Sequence, residues 1–204
     1  MKEKFVYFDL GNVLVTFDHT IATENLAKLC GHDFQAVRNK MFISDLQTRY
    51  ETGLISSDQY VDEINTTFGS QLDRDTVLDA ISDMFQPNWP ILDALRTVQQ
   101  AGVGMGVLSN TCEAHWHWLM QRKDWEMLHG WFEKIILSYE VKSMKPDSGI
   151  YQACEAACGR SGSEIFFTDD RADNIQAATE RGWVTHQYHH SETPSLVEAL
   201  KQFL

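Results

Sequence analysis

Basic residues are scarce in this chain: Lys and Arg number 17 of 204 residues against 29 Asp and Glu, a formal net charge of −12. A protein that grips nucleic-acid backbones needs a basic face, so no nucleic-acid partner is expected. No apolar run approaches membrane-spanning length and the first residues carry no signal-peptide pattern, so no membrane association is expected and the expected location is cytoplasmic. The four cysteines, Cys30, Cys112, Cys154 and Cys158, are too few for a disulfide-dense framework. Cys154 and Cys158 stand one helical turn apart, which suits a helix face better than a redox pair, and all four read as free thiols. Internal repeats and low-complexity segments are absent as well. What is present is an ordinary globular composition, 43% apolar and 23% charged. The chain is long enough for one full core and a subsidiary domain.

Five segments read as buried strands: Lys4 to Asp9, Val103 to Ser109, Lys134 to Ser138, Glu164 to Thr168 and Trp183 to Tyr188. Helical spacing separates the later ones. Ile91, Leu92, Leu95 and Val98 precede a stop at Gly102, and Trp118, Leu119, Trp125 and Leu128 suggest a second helix. Ile150 to Cys158 ends at Gly159, and Ile175 to Arg181 at Gly182. This alternation predicts an α/β fold, with a Rossmann-like parallel sheet covered by helices on both faces. From about Thr20 to Phe85 the pattern is helical throughout. That predicts an all-helical cap inserted after the first strand, over 18–86, with the core formed by 1–17 and 87–204. A helical layer of the same domain would give the same periodicity.

Ligands of open α/β sheets bind at the carboxyl ends of the strands, and four polar groups fall at such ends. Asp9 closes the first strand; alone it reads better as a turn or N-cap aspartate. Ser109 and Asn110 close the second, where a hydroxyl, an amide and helix N–H groups can bind oxyanions or simply cap a helix. Lys145 lies in an extended segment before Pro146, able to neutralise a phosphate or hold a carboxylate ionised, although a solvated lysine is the commoner case. Asp169 and Asp170 follow the fourth strand. Adjacent carboxylates repel, and hard oxygen ligands suit Mg²⁺. Asp173 or Asn174 is expected to have a structural role such as capping.

Asp, Ser-Asn, Lys and Asp-Asp in this order resemble the four motifs of the haloacid dehalogenase superfamily, over nearly the whole chain. The first motif, Asp-Leu-Gly-Asn-Val, resembles a branch that includes glucose-1-phosphate phosphatases. The resemblance implies a Mg²⁺-dependent phosphatase of a small phosphorylated metabolite. Asp9 would be the nucleophile and form an aspartyl-phosphate, Ser109 and Asn110 would bind the phosphoryl oxygens, and Lys145 would add charge and orient Asp9. Asp9, the Gly11 carbonyl, Asp169 and Asp170 would hold the metal.

The family's phosphatases usually carry a general acid and base two residues after the nucleophile, where this chain has Gly11. Such a group contributes about a hundred- to ten-thousandfold. Glycine there fits a substrate with an acidic leaving group, such as an anomeric or acyl phosphate. Two other readings remain: metal-free halide displacement from a 2-haloacid, and a non-catalytic phospholigand-binding protein. In the cap, Arg49 and Glu51 are candidates to reach a polar leaving group, though either also reads as a solvated helix end. Asp18 and His19 lie near enough to the first strand to replace the missing acid, but read better as linker residues. His115 and His117 lack the spacing of a helical metal pair. Trp116, Trp118 and Trp125 read as core or interface aromatics, and His189 and His190 as exposed.

Overall fold

The computed structural model describes residues 4–123, 130–190 and 192–204. Its centre is β1 (Phe5–Phe8), buried at every position. A strand covered on both faces has no solvent side, which is why the sequence shows an unbroken apolar run rather than alternation. β1 pairs in parallel with β4 (Gly104–Ser109) on one side and β6 (Ile165–Asp169) on the other. The outer strands are β5 (Lys134–Leu137) and β7 (Val184–Gln187), giving the order β5-β4-β1-β6-β7. All five expected strands are present, with ends shifted by a residue or so; β6 extends to include Asp169.

Alternate residues of β1 feed two cores. Phe5 and Tyr7 join Phe167, Tyr151 and Trp183 on one face, beneath α9 (Ser148–Cys158) and α10 (Ala172–Glu180). Cys154 is buried there, Cys158 is half-buried, and all four cysteines are free. Val6 and Phe8 face the other way and join residues of α6 (Leu92–Gln100) and α11 (Thr193–Phe203). Fully burying a Phe or Leu side chain is worth about 1.5–3 kcal/mol, so both layers contribute to holding the sheet. The C-terminal α11 was not part of the sequence expectation.

Between β2 (Val15–Phe17) and β3 (Phe85–Pro87) lie α1 (His19–Cys30), α2 (Phe34–Arg38), α3 (Leu46–Glu51), α4 (Ser57–Phe68) and α5 (Arg74–Ser82), with a π-helical stretch at Asn39–Ile43. β2 and β3 pair antiparallel in a separate two-stranded ribbon, which the sequence reading had not anticipated. The helical run was expected, and its apolar face (Leu26, Val37, Met41, Tyr60, Val77) is continuous with the core cluster of Val6 and Phe8. α7 (Glu113–Gln121) and the short α8 (Ser138–Val141) follow β4 and β5. Trp116 and Trp118 pack partly buried against that core, whereas Trp125 and Leu128 lie outside the described residues. No helix among the described residues is long and apolar enough to cross a membrane.

Candidate active site

Parallel register brings the strand-end residues together. Phe8 lies level with Thr168, and the Asp9 N–H donates to the Thr168 carbonyl at 2.9 Å, so Asp9 and Asp169 emerge side by side. Lys145 reaches in from the loop beyond β5. Its Nζ lies 2.7 Å from Asp9 Oδ1 and 2.6 Å from Asp169 Oδ2, and donates at 3.0 Å to the Leu108 carbonyl. All three side chains are buried: Lys145 is 5% exposed, Asp9 7% and Asp169 0%. One ammonium thus serves two carboxylates.

That imbalance shapes the electrostatics. Burial and repulsion from Asp169 push Asp9 up to about 8, against the pull of Lys145. Burial would lower the Lys145 pKa, but Asp169 and Asp9 outweigh it and the net direction is upward, so the ammonium stays charged. Asp170 is also raised, first by burial and then by Asp169, while the Asn12 amide lowers it. The pocket therefore holds more negative charge than it neutralises.

The two adjacent aspartates are held differently. Asp169 Oδ1 accepts from the Arg171 N–H at 2.8 Å, and both its oxygens accept from Asn174 Nδ2 at 3.0 Å. With Lys145 added, Asp169 has its oxygens engaged. Asp170 accepts one side-chain donor, Asn12 Nδ2 at 2.9 Å, and is only partly buried. Asp9 Oδ1 takes the Leu10 N–H at 2.7 Å as well as Lys145, and Oδ2 accepts no hydrogen bond among the described residues. Carboxylate oxygens of Asp9, Asp169 and Asp170 lie within 4.8 Å of one another. The donor set is all hard oxygen, and its surplus negative charge fits Mg²⁺.

Ser109 is 1% exposed and lines a cleft together with Lys145 and with Leu10 and Gly11, which follow Asp9. Asn110 lines it too, but its side chain is spent elsewhere. Nδ2 donates to the Lys145 carbonyl at 2.9 Å and Oδ1 accepts the Lys145 N–H at 2.7 Å. Its amide therefore ties the lysine loop to the end of β4. Gly11 lines the cleft, and a Cβ built on it would meet the Phe17 ring at 2.8 Å. The aromatic ring thus stands where a side chain at position 11 would begin.

The cleft measures about 340 Å³, and Phe17, Met84, Phe85 and Met144 supply apolar wall. Glu51 also lines it, partly buried, with Oε1 accepting from Gln47 Nε2 at 2.8 Å. Arg49 does not line it: its guanidinium pairs with Glu63 at 2.8 Å and Asp45 at 3.1 Å. Two residues apart on α3, Arg49 and Glu51 stand on nearly opposite faces of the helix. His19 lines the cleft near the Phe17 and Phe42 rings, and burial lowers its pKa. Asp18 caps α1 by accepting the Thr20 N–H at 2.8 Å. His115 is a buried wall residue, while His117, His189 and His190 are exposed. Asp173 accepts from Arg171 and from the Asn174 N–H in the first turn of α10. The N-cap of α10 is Arg171, without a side-chain cap bond, and Asn174 serves Asp169, so neither Asp173 nor Asn174 caps the helix. Asn12, Phe17, Phe85 and His115 were missed as site residues, because each joins the site through a distant partner.

A sequence family described as haloacid dehalogenase-like hydrolases matches residues 4–182. A D-ribitol-5-phosphate phosphatase from Bacteroides thetaiotaomicron is 24% identical over 188 residues, covering 90% of this chain and 91% of its own. An (S)-2-haloacid dehalogenase from Pseudomonas fluorescens is 27% identical over 129 residues, covering 60% and 55%. Among solved structures, one from Bacteroides thetaiotaomicron in complex with magnesium and inorganic phosphate superposes with a TM-score of 0.81. It is 29% identical and covers 93% of this chain and 96% of its own.

Proposed function

Since the chain belongs to the haloacid dehalogenase-like hydrolases and is a Mg²⁺-using phosphatase of phosphoric monoesters, we propose that it hydrolyses a small sugar phosphate through an aspartyl-phosphate on Asp9. The observation that carries this reading is the asymmetric holding of Asp9. Lys145 and the Leu10 N–H fix Oδ1, and Oδ2 is left without a hydrogen-bond partner among the described residues. A carboxylate pinned by one oxygen presents the other in a defined direction, which is what in-line attack on phosphorus needs.

Asp9 Oδ2 forms the new bond to phosphorus as the bond to the leaving-group oxygen breaks, and water then attacks phosphorus to release inorganic phosphate and regenerate Asp9. Ser109 Oγ and the N–H groups after β4 hold the phosphoryl oxygens. Lys145 keeps Asp9 oriented and balances its charge. Asp9 and Asp170, with the Gly11 carbonyl, would hold the metal. Asp169, which also holds Lys145 in place, would belong to the same ligand set. Mg²⁺ supplies positive charge against the phosphoryl oxygens. The helices of 18–86 act as a cap closing the leaving-group side.

Gly11 provides no proton, and Phe17 fills the space beside it. That supports an acidic leaving group, as in an anomeric or acyl phosphate. The cleft volume supports a small substrate, and the ribitol-phosphate relative supports a sugar or polyol phosphate. The test is phosphate release from glucose 1-phosphate, acetyl phosphate and glycerol 3-phosphate, with Mg²⁺ and with EDTA. Release should need the metal, and glycerol 3-phosphate should be slower by about a hundredfold or more, the scale of a missing general acid. Equal rates would sink the leaving-group argument. Halide release from 2-chloropropionate in EDTA, without phosphate release, would replace the phosphatase by a dehalogenase.

A further inference from the structure

The cleft wall contains a carboxylate short of partners. Glu51 ends α3 and lines the same cleft as Gly11, Ser109 and Lys145. Its Oε1 accepts from Gln47, and Oε2 has no hydrogen-bond partner among the described residues. No cation pairs with it there. Arg49, two residues away, is committed to Asp45 and Glu63. Lys145 is committed to Asp9 and Asp169. Arg171, at the rim, is committed to Asp173 at 2.6 Å. Burial raises the Glu51 pKa while the Gln47 amide lowers it, consistent with an under-solvated carboxyl.

The backbone of Glu51 is fixed as well. Its carbonyl accepts from Ser138 Oγ at 2.6 Å, and the Gly53 carbonyl accepts from Lys142 Nζ at 2.6 Å, so the end of α3 is tied to the loop region after β5. Gly53 has φ +64, and a Cβ there would lie 2.1 Å from the Tyr139 carbonyl oxygen. The carboxylate is therefore presented from a fixed backbone, with the Gln47 amide holding one of its oxygens.

We propose that Glu51 is a specificity residue that accepts a hydroxyl of the leaving group and rejects substrates carrying a second anionic group. This rests on the phosphatase reading and names its substrate class: monophosphates of uncharged, hydroxylated alcohols. A second carboxylate or phosphate in the cleft would face Glu51 with no free cation to neutralise it, and like charges at short range in a partly buried site are strongly unfavourable. A hydroxyl supplies the donor that Oε2 lacks, and sites built around such a bond discriminate strongly against ligands that cannot make it.

A matched pair tests this. Glucose 1-phosphate and glucuronic acid 1-phosphate differ at C6, where a hydroxymethyl is replaced by a carboxylate; p-nitrophenyl phosphate lacks both groups. The wild-type kcat/KM should favour the neutral sugar phosphate at least about tenfold. Glu51→Gln should shrink that preference at least fivefold, chiefly by improving the acidic substrate, with both sugar rates read relative to p-nitrophenyl phosphate. The same pair is titrated calorimetrically into Asp9→Asn protein with Mg²⁺, with and without Glu51→Gln. A Glu51-dependent binding preference without turnover by any protein would sink the phosphatase reading alone. A preference that is absent, or unchanged by Glu51→Gln, would overturn this proposal.

Discussion

Asn12 and Asn174 hold the two adjacent aspartates of the site, one each. Asn12 has φ 56, a left-handed conformation that asparagine tolerates better than most residues, and its amide donates to Asp170. Asn12→Gly keeps that backbone accessible and removes the amide. Partners that orient a metal ligand are typically worth about ten- to a hundredfold in affinity, so Mg²⁺ binding measured by calorimetry should weaken by that order while the fold is retained. Unchanged affinity would mean that Asp170 orients itself. At this scale the sequence made the charged residues legible: a carboxylate, a lysine or an aspartate pair at the end of an apolar run is a local pattern. The amides were not legible, because each role is defined by a partner brought close only by the sheet. Asn110 is the clearest case. Both ends of its amide go to the backbone of Lys145, 35 residues away, a pairing that its position after β4 does not announce.

Helix α7 carries the element-scale consequence. It places His115 in the wall of the cleft, 5% exposed and edge-on to Phe85. Burial, with a smaller push from His19, lowers its pKa to about 3, against the Ile81 carbonyl, which pulls it upward. In the unfolded chain the imidazole titrates near 6.5, so between pH 6.5 and 3 the unfolded state binds the extra proton and the native state does not. Native stability should therefore be fully present above about pH 6.5 and fall with acidification across that window, by up to about 1.4 kcal/mol per pH unit from this residue. Thermal unfolding of His115→Gln, followed from pH 7 to pH 4, should lose less stability than wild type; parallel curves would mean that His115 is not the source. The five strands of the sheet were readable because burial on both faces leaves unbroken apolar runs. The β2–β3 ribbon was not, because three-residue strands carry no period. Its Phe17 and Phe85 nonetheless form part of the cleft wall.

Across the whole molecule, the inserted helices and the sheet domain are joined by buried polar contacts as well as by a continuous apolar cluster. Tyr50 Oη accepts the Ala114 N–H at 3.1 Å and hydrogen-bonds Ser57 Oγ at 2.6 Å, and Ser57 in turn bonds Glu113. Helical periodicity announced the helices between β2 and β3, but periodicity contains no information about what their polar groups meet. Tyr50→Phe leaves the Ala114 N–H without its partner and should cost about 1–3 kcal/mol in urea unfolding, with wild type and variant each showing a single transition. Two separated transitions would mean that the inserted helices unfold on their own. On the proposed mechanism the scaffold serves one act: holding Asp9 so that its open oxygen meets phosphorus. The most direct test is to quench the enzyme with acid while it hydrolyses acetyl phosphate or glucose 1-phosphate with Mg²⁺, and to analyse the peptide containing Asp9 by mass spectrometry. A phosphoryl group on Asp9, absent in EDTA and in an Asp9→Asn protein that releases no phosphate, is the predicted result. Phosphate release at the wild-type rate by Asp9→Asn, with no phosphoryl group on the wild-type peptide, would contradict it.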